Sequence, residues 1–299
     1  MHYHNFPLIY RECFDLTNAQ FEHIEHNDTM IAAVYRVTQT DGTQYILKIC
    51  PKTDHYKHEL FFLTYFANTL PVPRIISVME PTAEYHGALL MECLPGSPVT
   101  IYEVTDALAY DMGKLLAKIH MHRTNGYGDL LYPEELCSDA RQSFAFKFEE
   151  QLAECQHHLP KPLLDKHWTY YTEHLDLLKA VDGPCIIHRD FRPGNIIAHN
   201  GQLQGIIDWS TGKAGFAQED FSSMEQGEWS KDAATKESFL SGYASIRPVP
   251  DYAKIMPLLR IGRAFAVVGY FLKNKQQDDY RNNQWYIFNL RFLETYFPT

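Results

Sequence analysis

The chain has 299 residues, of which 45% are hydrophobic and 21% charged, a composition typical of globular proteins and not of disordered ones. A chain of this length can bury about three-quarters of its unfolded surface, so a substantial core is available. The net charge of −10 disfavours nucleic acid or an anionic membrane as a partner. The acidity is uneven, because residues 189–299 carry 13 basic and 12 acidic side chains and are nearly neutral.

The cysteines and the apolar segments indicate the cellular compartment. The six cysteines are scattered without a CxxC pair, whereas disulfide frameworks and zinc sites normally show paired spacing. The N-terminus lacks the cationic start and apolar stretch of a signal peptide. The longest apolar stretch, residues 256–272, contains two arginines, and a membrane span would need about 20 predominantly apolar residues. We therefore expect a cytoplasmic protein with free thiols and a buried helix at 256–272.

The N-terminal part predicts strands and one helix. Two β-rich runs within residues 32–49 flank Asp41-Gly42 and predict a hairpin, since both turn residues tolerate positive φ. Lys48 lies near the end of the second strand. Residues 55–69 have helical apolar spacing and are followed by two prolines. Residues 88–96 predict a short buried strand that ends at a Pro-Gly breaker.

The remainder predicts mainly helices. Residues 105–122 form a long amphipathic pattern, and residues 141–180 are mostly helical in pattern. Two short strands are predicted around a turn at His199-Asn200-Gly201. Three helical segments follow, at about 231–245, 252–274 and 279–296. Strands in the N-terminal part and helices in the C-terminal part predict an α+β protein with two lobes and a hinge near Pro95-Gly96.

Residues 187–209, IHRDFRPGNIIAHNGQLQGIIDW, contain the residue types that phosphoryl transfer requires. That reaction needs metal ligands for the nucleotide phosphates, a carboxylate on the attacking hydroxyl, and cations. Asp190 would orient the acceptor hydroxyl and take its proton. Asn195 and Asp208 would bind Mg²⁺, which favours a few hard oxygens together with phosphate oxygens. Ordinary turn residues are the alternative, but the HxDxxxxN pattern followed by Ile-Ile-Asp-Trp favours catalysis.

This pattern resembles the aminoglycoside phosphotransferase family, the small-molecule branch of the protein-kinase-like fold. The matching residues are His188, Asp190, Asn195 and the Ile-Ile-Asp-Trp stretch around Asp208. The resemblance implies a bilobal α+β fold with an N-terminal antiparallel sheet, one helix beside it, and a mostly helical C-terminal lobe. Residues 1–94 would form the nucleotide-binding lobe. Residues 95–299 would form the lobe with the catalytic loop and the acceptor pocket.

The resemblance also implies a site for ATP and Mg²⁺. Lys48 matches the strand lysine that relatives use on the α- and β-phosphates, and Glu59 matches its ion-pair partner. Adenine would bond backbone groups near Glu92 and Leu94, with Met91 packed beside the ring.

The chain departs from the family pattern at several positions. The phosphate-covering loop should lie near EHNDTMIAA, which has no glycine. Backbone amides of residues 27–31 would then bind the phosphates. Arg189 stands where most relatives have glycine. Arg192 stands where protein kinases have lysine, and would either contact the γ-phosphate as a catalytic cation or form a structural ion pair. Asp220 matches a family aspartate that we interpret as structural.

The function predicted from the sequence is ATP-dependent O-phosphotransfer to a small-molecule hydroxyl, with an aminoglycoside-type antibiotic as one acceptor and antibiotic resistance as the role. The alternatives are a metabolic kinase of the choline, homoserine or sugar type, then a protein kinase, then a non-catalytic ATP-binding protein. No Ala-Pro-Glu stretch follows Asp208, which disfavours the protein kinase. Five acidic residues are candidates to bind a cationic acceptor: Glu225, Glu228, Asp232, Asp278 and Asp279. We expect a monomer or homodimer.

Overall fold

The computed structural model describes residues 8–24, 32–226, 230, 232–273 and 280–296. The chain forms two compact units. The first unit comprises Met1–Ile119, His188–Gly212 and Gly227–Arg247, and the second comprises His120–Ile187, Lys213–Gln226 and Pro248–Thr299. The division into lobes at residues 94 and 95 remains a prediction.

The strands of the described residues are, in chain order, β1 (Gln20–His23), β2 (Ala33–Thr38), β3 (Gln44–Cys50), β4 (Ile75–Met79), β5 (Gly87–Glu92), β6 (Ser97–Pro98), β7 (Cys185–Ile187), β8 (Ile196–His199), β9 (Gln202–Ile206) and β10 (Lys213–Gly215). The helices are α1 (Leu8–Cys13), α2 (Thr53–Phe66), α3 (Asp106–His120), α4 (Ala140–Cys155), α5 (Lys161–His174), α6 (Gln218–Gln226), α7 (Ala233–Ala244), α8 (Met256–Lys273) and α9 (Gln284–Thr295).

Five strands of the first unit form an antiparallel sheet in the order β1-β2-β3-β5-β4. The predicted hairpin of β2 and β3 is confirmed. Its turn has Gly42 at a φ of 87°, and the side chain of Asp41 accepts a hydrogen bond from the amide of Thr43 at 2.8 Å. The sequence did not predict β1 and β4, because these edge strands have no buried residue and lack the apolar alternation of a half-buried strand.

The two faces of this sheet have different roles because side chains alternate along each strand. One face packs against the α1 region in a core that contains Tyr10, Phe14, Val37 and Leu47. The hydroxyl of Tyr10 also donates a hydrogen bond to the carbonyl of His86 at 3.0 Å. The opposite face carries the alternate residues of β2 and β3, which include Lys48.

A three-stranded sheet with the order β6-β8-β9 also belongs to the first unit. The turn between β8 and β9 has Asn200 at a φ of 50° and Gly201 at 74°, as expected for a tight hairpin turn. Gly96, at a φ of 101°, lies so close to β8 that a Cβ atom there would be 2.0 Å from the carbonyl oxygen of Ala198. The segment after β5 is therefore held directly against the β8–β9 hairpin.

The second unit has an aromatic core between helices. Phe148 of α4 stacks on Tyr171 of α5 with ring centroids 4.2 Å apart, and Phe265 of α8 packs edge-on against Phe148 at 5.8 Å. As predicted, α8 is a buried core helix, and Arg260 lies over the ring of Phe292 at 4.6 Å. Among the described helices, none has the length and apolar character needed to cross a membrane.

Helices α3 and α7 cross at two glycines. A Cβ atom on Gly113 would lie 2.0 Å from the carbonyl oxygen of Phe239, and one on Gly242 would lie 1.9 Å from that of Tyr110. These contacts involve backbone atoms, so the clash cannot be relieved by a side-chain rotation. The first unit therefore requires glycine on both helices.

We expect Gly242→Ala to lower the free energy of unfolding by about 2 kcal/mol or more, since overpacking outweighs the roughly 1 kcal/mol that alanine gains in helix propensity. Gly262→Ala is the matched control, because its Cβ would meet only side-chain ring atoms, of which the nearest is the tip of the Phe144 ring at 3.2 Å. Denaturant unfolding should show the control within about 1 kcal/mol of the wild type. Equal effects of the two substitutions would contradict the close crossing.

Candidate active site

Lys48 is the central cation of the candidate site. Its Nζ donates to Oε2 of Glu59 at 2.9 Å and to Oδ1 of Asp208 at 2.9 Å. Glu59 also accepts a hydrogen bond from the backbone amide of Trp209. Three residues predicted from the sequence are thus in contact, although Asp208 is 160 positions from Lys48 along the chain.

Burial and charge together set the ionisation of this cluster. Burial lowers the pKa of Lys48, but the carboxylates of Asp208 and Glu59 outweigh it and raise that pKa above its usual value. Burial raises the pKa of Glu59, and the nearby Lys48 only partly opposes the rise. Burial also acts to raise the pKa of Asp208, but the charge and hydrogen bond of Lys48, together with Ser210, hold it well below its usual range. Lys48 is therefore a cation and Asp208 an anion at neutral pH.

The low pKa of Asp208 has a consequence for stability. A carboxylate whose pKa is depressed by folding stabilises the native state above its unfolded pKa of about 3.9. That contribution is lost as the pH falls from there through the folded pKa.

The loop at Asp208 is anchored by its neighbours in sequence. Asp208 has a φ of 65°, in the left-handed region, and accepts a hydrogen bond from the hydroxyl of Ser210 at 2.8 Å. The fully buried ring of Trp209 lies 5.4 Å from that of Phe62 and 4.7 Å from that of Phe66. Both phenylalanines belong to α2, so this helix holds the loop as well as Glu59.

The loop at residues 188–195 is fixed by a hydrogen-bond network. Nδ1 of His188 accepts from the amide of Asp190 at 3.3 Å, which assigns the ring proton to Nε2 and lets it donate to the carbonyl of Ile207 at 3.1 Å. Arg192 donates from Nε to Oδ2 of Asp190 at 3.0 Å. Asn195 donates from Nδ2 to the same oxygen at 2.8 Å and to the carbonyl of Asp190 at 2.8 Å. The carboxylate of Asp190 is therefore held in one orientation.

The β8–β9 hairpin sets the spacing of the two predicted metal ligands. Ile196 pairs with Ile206, and the amide of Ile207 donates to the carbonyl of Asn195 at 2.9 Å. Asn195 therefore immediately precedes one strand and Asp208 follows the end of its partner. The sequence predicted this strand–turn–strand arrangement, and the structure confirms it.

The donor atoms at this position suit Mg²⁺. Asn195 offers a carbonyl oxygen and Asp208 a carboxylate, which are the hard ligands that Mg²⁺ prefers. Within the described part of the chain, no group of three or more His, Cys, Asp and Glu side chains could hold a metal ion. Mg²⁺ would thus bind through these two side chains and complete its shell with water and phosphate oxygens, its usual mode.

The backbone conformation of Arg189 accounts for the glycine that most relatives have at this position. Its φ of 69° lies in the left-handed region, which glycine adopts without steric cost and other residues rarely adopt. The chain therefore keeps the backbone conformation that a glycine would allow at this position.

Apart from Glu59, which lies behind Lys48, the predicted site residues line one cavity of about 350 Å³, and every lining residue belongs to the first unit. One end is polar and is lined by Lys48, Asp190, Asn195 and Asp208. The other end is mainly apolar and is lined by Ile46, Met91, Leu94, Ile197 and Ile207. Cavities of this size and mixed lining are typical of small-molecule sites.

The segment predicted to bind adenine lies along the apolar end. Met91, Glu92 and Leu94 all line the cavity. The backbone amide of Glu92 is already engaged, since it donates to the carbonyl of Arg74 at 2.9 Å. A bound adenine would therefore use the carbonyl of Glu92 and an amide nearer Leu94.

The sequence also missed other lining residues, among them Arg36, His55 and Ser210. His55 lies one helical turn before Glu59, so the i, i+4 spacing could have indicated it. Arg36 lies opposite Ile46 in the hairpin, and a register estimate could have indicated it. Ser210 gives no distinctive signal, because serine is common after turns.

Several predicted positions have other roles or are not described. Asp232 caps α7 by accepting from the amide of Thr235 at 2.9 Å, and Glu225 bonds the hydroxyl of Tyr252. The proposed phosphate-covering residues 27–31 lie outside the described residues, as do Glu228, Asp278 and Asp279.

Asp220, which the sequence indicated to be structural, lies within the second unit. One of its carboxylate oxygens is 3.1 Å from Nε2 of His120, and both side chains are fully buried. It does not line the cavity of the first unit.

We expect Lys48→Met to lower the free energy of unfolding by about 3–5 kcal/mol, because it leaves the buried Glu59 without its cation. Adding Glu59→Gln should recover part of that loss, so that the double variant costs less than the sum of the single ones. Denaturant unfolding of the four proteins measures the coupling. Additive effects, within about 0.5 kcal/mol, would show that the pair is not coupled.

The chain matches the family model described as "Phosphotransferase enzyme family" over residues 24–258. A comparison with curated protein sequences found no match.

Several solved structures share the fold. Aminoglycoside phosphotransferase APH(2")-IIa, in complex with gentamicin, is 17% identical with a TM-score of 0.70, covering 98% of this chain and 97% of its own. A thermostable mutant of aminoglycoside phosphotransferase APH(4)-Ia, with ADP and hygromycin B, is 14% identical with a TM-score of 0.68, covering 97% of this chain and 98% of its own. Macrolide 2'-phosphotransferase MphH from Brachybacterium faecium is 16% identical with a TM-score of 0.61, at 98% and 99% coverage.

These similarities confirm the predicted α+β, bilobal, protein-kinase-like fold. The predicted enzyme class, a phosphotransferase with a hydroxyl acceptor, is confirmed as well. The chain belongs to the phosphotransferase enzyme family that its HxDxxxxN and Ile-Ile-Asp-Trp motifs resemble.

Proposed function

We propose that the protein transfers the γ-phosphate of ATP, bound with Mg²⁺, to a hydroxyl group of a small molecule. One observation carries the proposal: Lys48, Asp190, Asn195 and Asp208 line the polar end of a single cavity whose other end is apolar. These are the cation, the carboxylate and the metal ligands that phosphoryl transfer requires.

The polar end would bind the triphosphate. Lys48 would contact the α- and β-phosphates while Glu59 holds its ammonium in place. Asn195 and Asp208 would hold Mg²⁺, which supplies charge neutralisation for the phosphate oxygens. Because Lys48 and Asp208 are already in contact, the groups are positioned before the nucleotide arrives.

Asp190 would act on the acceptor. Its carboxylate would accept the proton of the acceptor hydroxyl as the oxygen bonds to the γ-phosphorus and ADP departs. Arg192 and Asn195 keep that carboxylate oriented. We further propose that the guanidinium of Arg192, beside Asp190, contacts the γ-phosphate during transfer, since arginine stays charged at all physiological pH values.

The apolar end would bind the base. Met91 would pack beside the adenine ring, and backbone groups of Glu92 and Leu94 would bond its edge. ADP or AMP-PNP is present in several structures of similar fold, which supports ATP as the donor.

The first acceptor to test is an aminoglycoside, since similar structures hold hygromycin B and gentamicin. A macrolide is the second, because a macrolide phosphotransferase shares the fold. The near-neutral charge of residues 189–299 does not favour a polycation, so metabolic amino alcohols and sugars belong in the same panel.

We propose that the enzyme acts in the cytoplasm. All six cysteines lie within the described residues and are free thiols. Free thiols without disulfides are typical of a reducing compartment. A monomer or homodimer remains our prediction for its assembly.

Transfer of labelled γ-phosphate to the acceptor panel tests the proposed reaction. We expect one small-molecule class to be labelled, and Asp190→Asn to lower turnover by about 10²–10⁴-fold with ATP affinity largely kept, as for loss of a general base. Asp251→Asn, an exposed position in the second unit, is the matched control and should keep full activity. Labelling of protein alone, or full activity of Asp190→Asn, would overturn the proposal.

The metal assignment has its own test. We expect Asp208→Ala to abolish Mg²⁺-dependent ATP binding measured by calorimetry, because it removes the only carboxylate assigned to the metal and the partner of Lys48. Asp190→Asn should still bind Mg²⁺ and ATP. Normal Mg²⁺-dependent binding by Asp208→Ala would show that the metal is held elsewhere.

A further inference from the structure

The strand register divides the sheet face beside the cavity into two rows. Residues that pair directly across antiparallel strands lie on the same face, and residues two apart on one strand are about 7 Å apart. The first row, which we name the phosphate row, consists of Val34, Lys48 and Leu89. The second, the base row, consists of Arg36, Ile46 and Met91. Arg36 therefore lies one row away from Lys48, at the apolar end.

The side chain of Arg36 has a weak partner and an unsatisfied donor. Its NH1 atom is 3.5 Å from Oε2 of Glu22, and the two side chains are 37% and 71% exposed. An exposed ion pair of this kind contributes little to stability. Its Nε is buried and has no hydrogen-bond partner among the described residues. Leaving a buried donor unsatisfied is costly, so this atom lacks the acceptor that it needs.

Arg36 also lines the cavity itself, together with Ile46 and Met91 of its own row. A guanidinium offers only donors and a flat face, and it stacks favourably on aromatic rings. A nucleoside presents a flat aromatic base, ring nitrogens and ribose oxygens. The chemistry of Arg36 thus complements the nucleoside part of a nucleotide at this end of the cavity.

We propose that Arg36 is a nucleoside-binding residue, which contacts the base or ribose of the bound nucleotide and not its phosphates. The proposal rests on the proposed function, because it takes the apolar end of the cavity as the base site. On binding, the guanidinium stacks on the base and its Nε donates to a ribose oxygen. Lys48, one row away, remains the cation for the phosphates.

Calorimetric titration with three probes separates the two ends of the nucleotide: Mg-ATP, adenosine and Mg-tripolyphosphate. We expect Arg36→Met to weaken the binding of Mg-ATP and of adenosine by a similar factor, about 3- to 30-fold, as for loss of a partly desolvated cation–π contact. Mg-tripolyphosphate should bind as it does to the wild type. Arg74→Met, an exposed position just before β4, is the matched control and should leave all three unchanged.

Two further variants test the guanidinium group and the ion pair. Arg36→Lys keeps the charge but not the planar fork, and should weaken adenosine binding less than Arg36→Met does. Glu22→Gln should leave adenosine binding unchanged. A thermal midpoint of Arg36→Met near that of the wild type shows that the fold is intact.

Unchanged adenosine binding by a folded Arg36→Met would overturn the role of Arg36, as would equal weakening of Mg-ATP and Mg-tripolyphosphate. Either result leaves the proposed function standing if the wild type still transfers phosphate. Failure of the wild type to bind Mg-ATP at all would instead remove the proposed function, and this inference with it.

Discussion

The buried ammonium of Lys48 is the constraint on which the site depends. A charge that is removed from water must be paired, and here two carboxylates from distant parts of the chain pair it. Glu59 fixes α2 against β3, and Asp208 fixes the loop after β9. Trp209 strengthens the same arrangement by packing on the aromatic face of α2. The sheet, the helix and the loop therefore take one arrangement that places the polar groups at one end of the cavity.

A second set of contacts joins the loop at residues 188–195 to the loop at Asp208. The ring of His188 bonds the amide of Asp190 on one side and the carbonyl of Ile207 on the other. The β8–β9 ladder links Asn195 to the same residue, Ile207. Asp190, Asn195 and Asp208 are thus held by a common framework, which suits a reaction whose catalysis is mainly positioning and charge stabilisation.

The features predicted from the sequence are those with local signals. The β2–β3 hairpin has an Asp-Gly turn between alternating strands, and the strand–turn–strand spacing of Asn195 and Asp208 lies within a short stretch. The resemblance assigned Lys48 and Asp208 to one nucleotide site, but their direct contact was not predicted, because no local pattern reports a contact 160 residues apart. Arg36 escaped prediction because its place depends on strand register and on the alternation of two faces, which turn chemistry and packing decide together.

The most direct test of the account is a crystal structure with Mn²⁺ and a non-hydrolysable ATP analogue. Anomalous scattering locates Mn²⁺, which takes the same oxygen ligands as Mg²⁺. We expect a Mn²⁺ peak bound by Asn195 and Asp208, with the triphosphate beside Lys48 and the base against Met91. A peak away from both ligands, or a nucleotide bound outside this cavity, would contradict it.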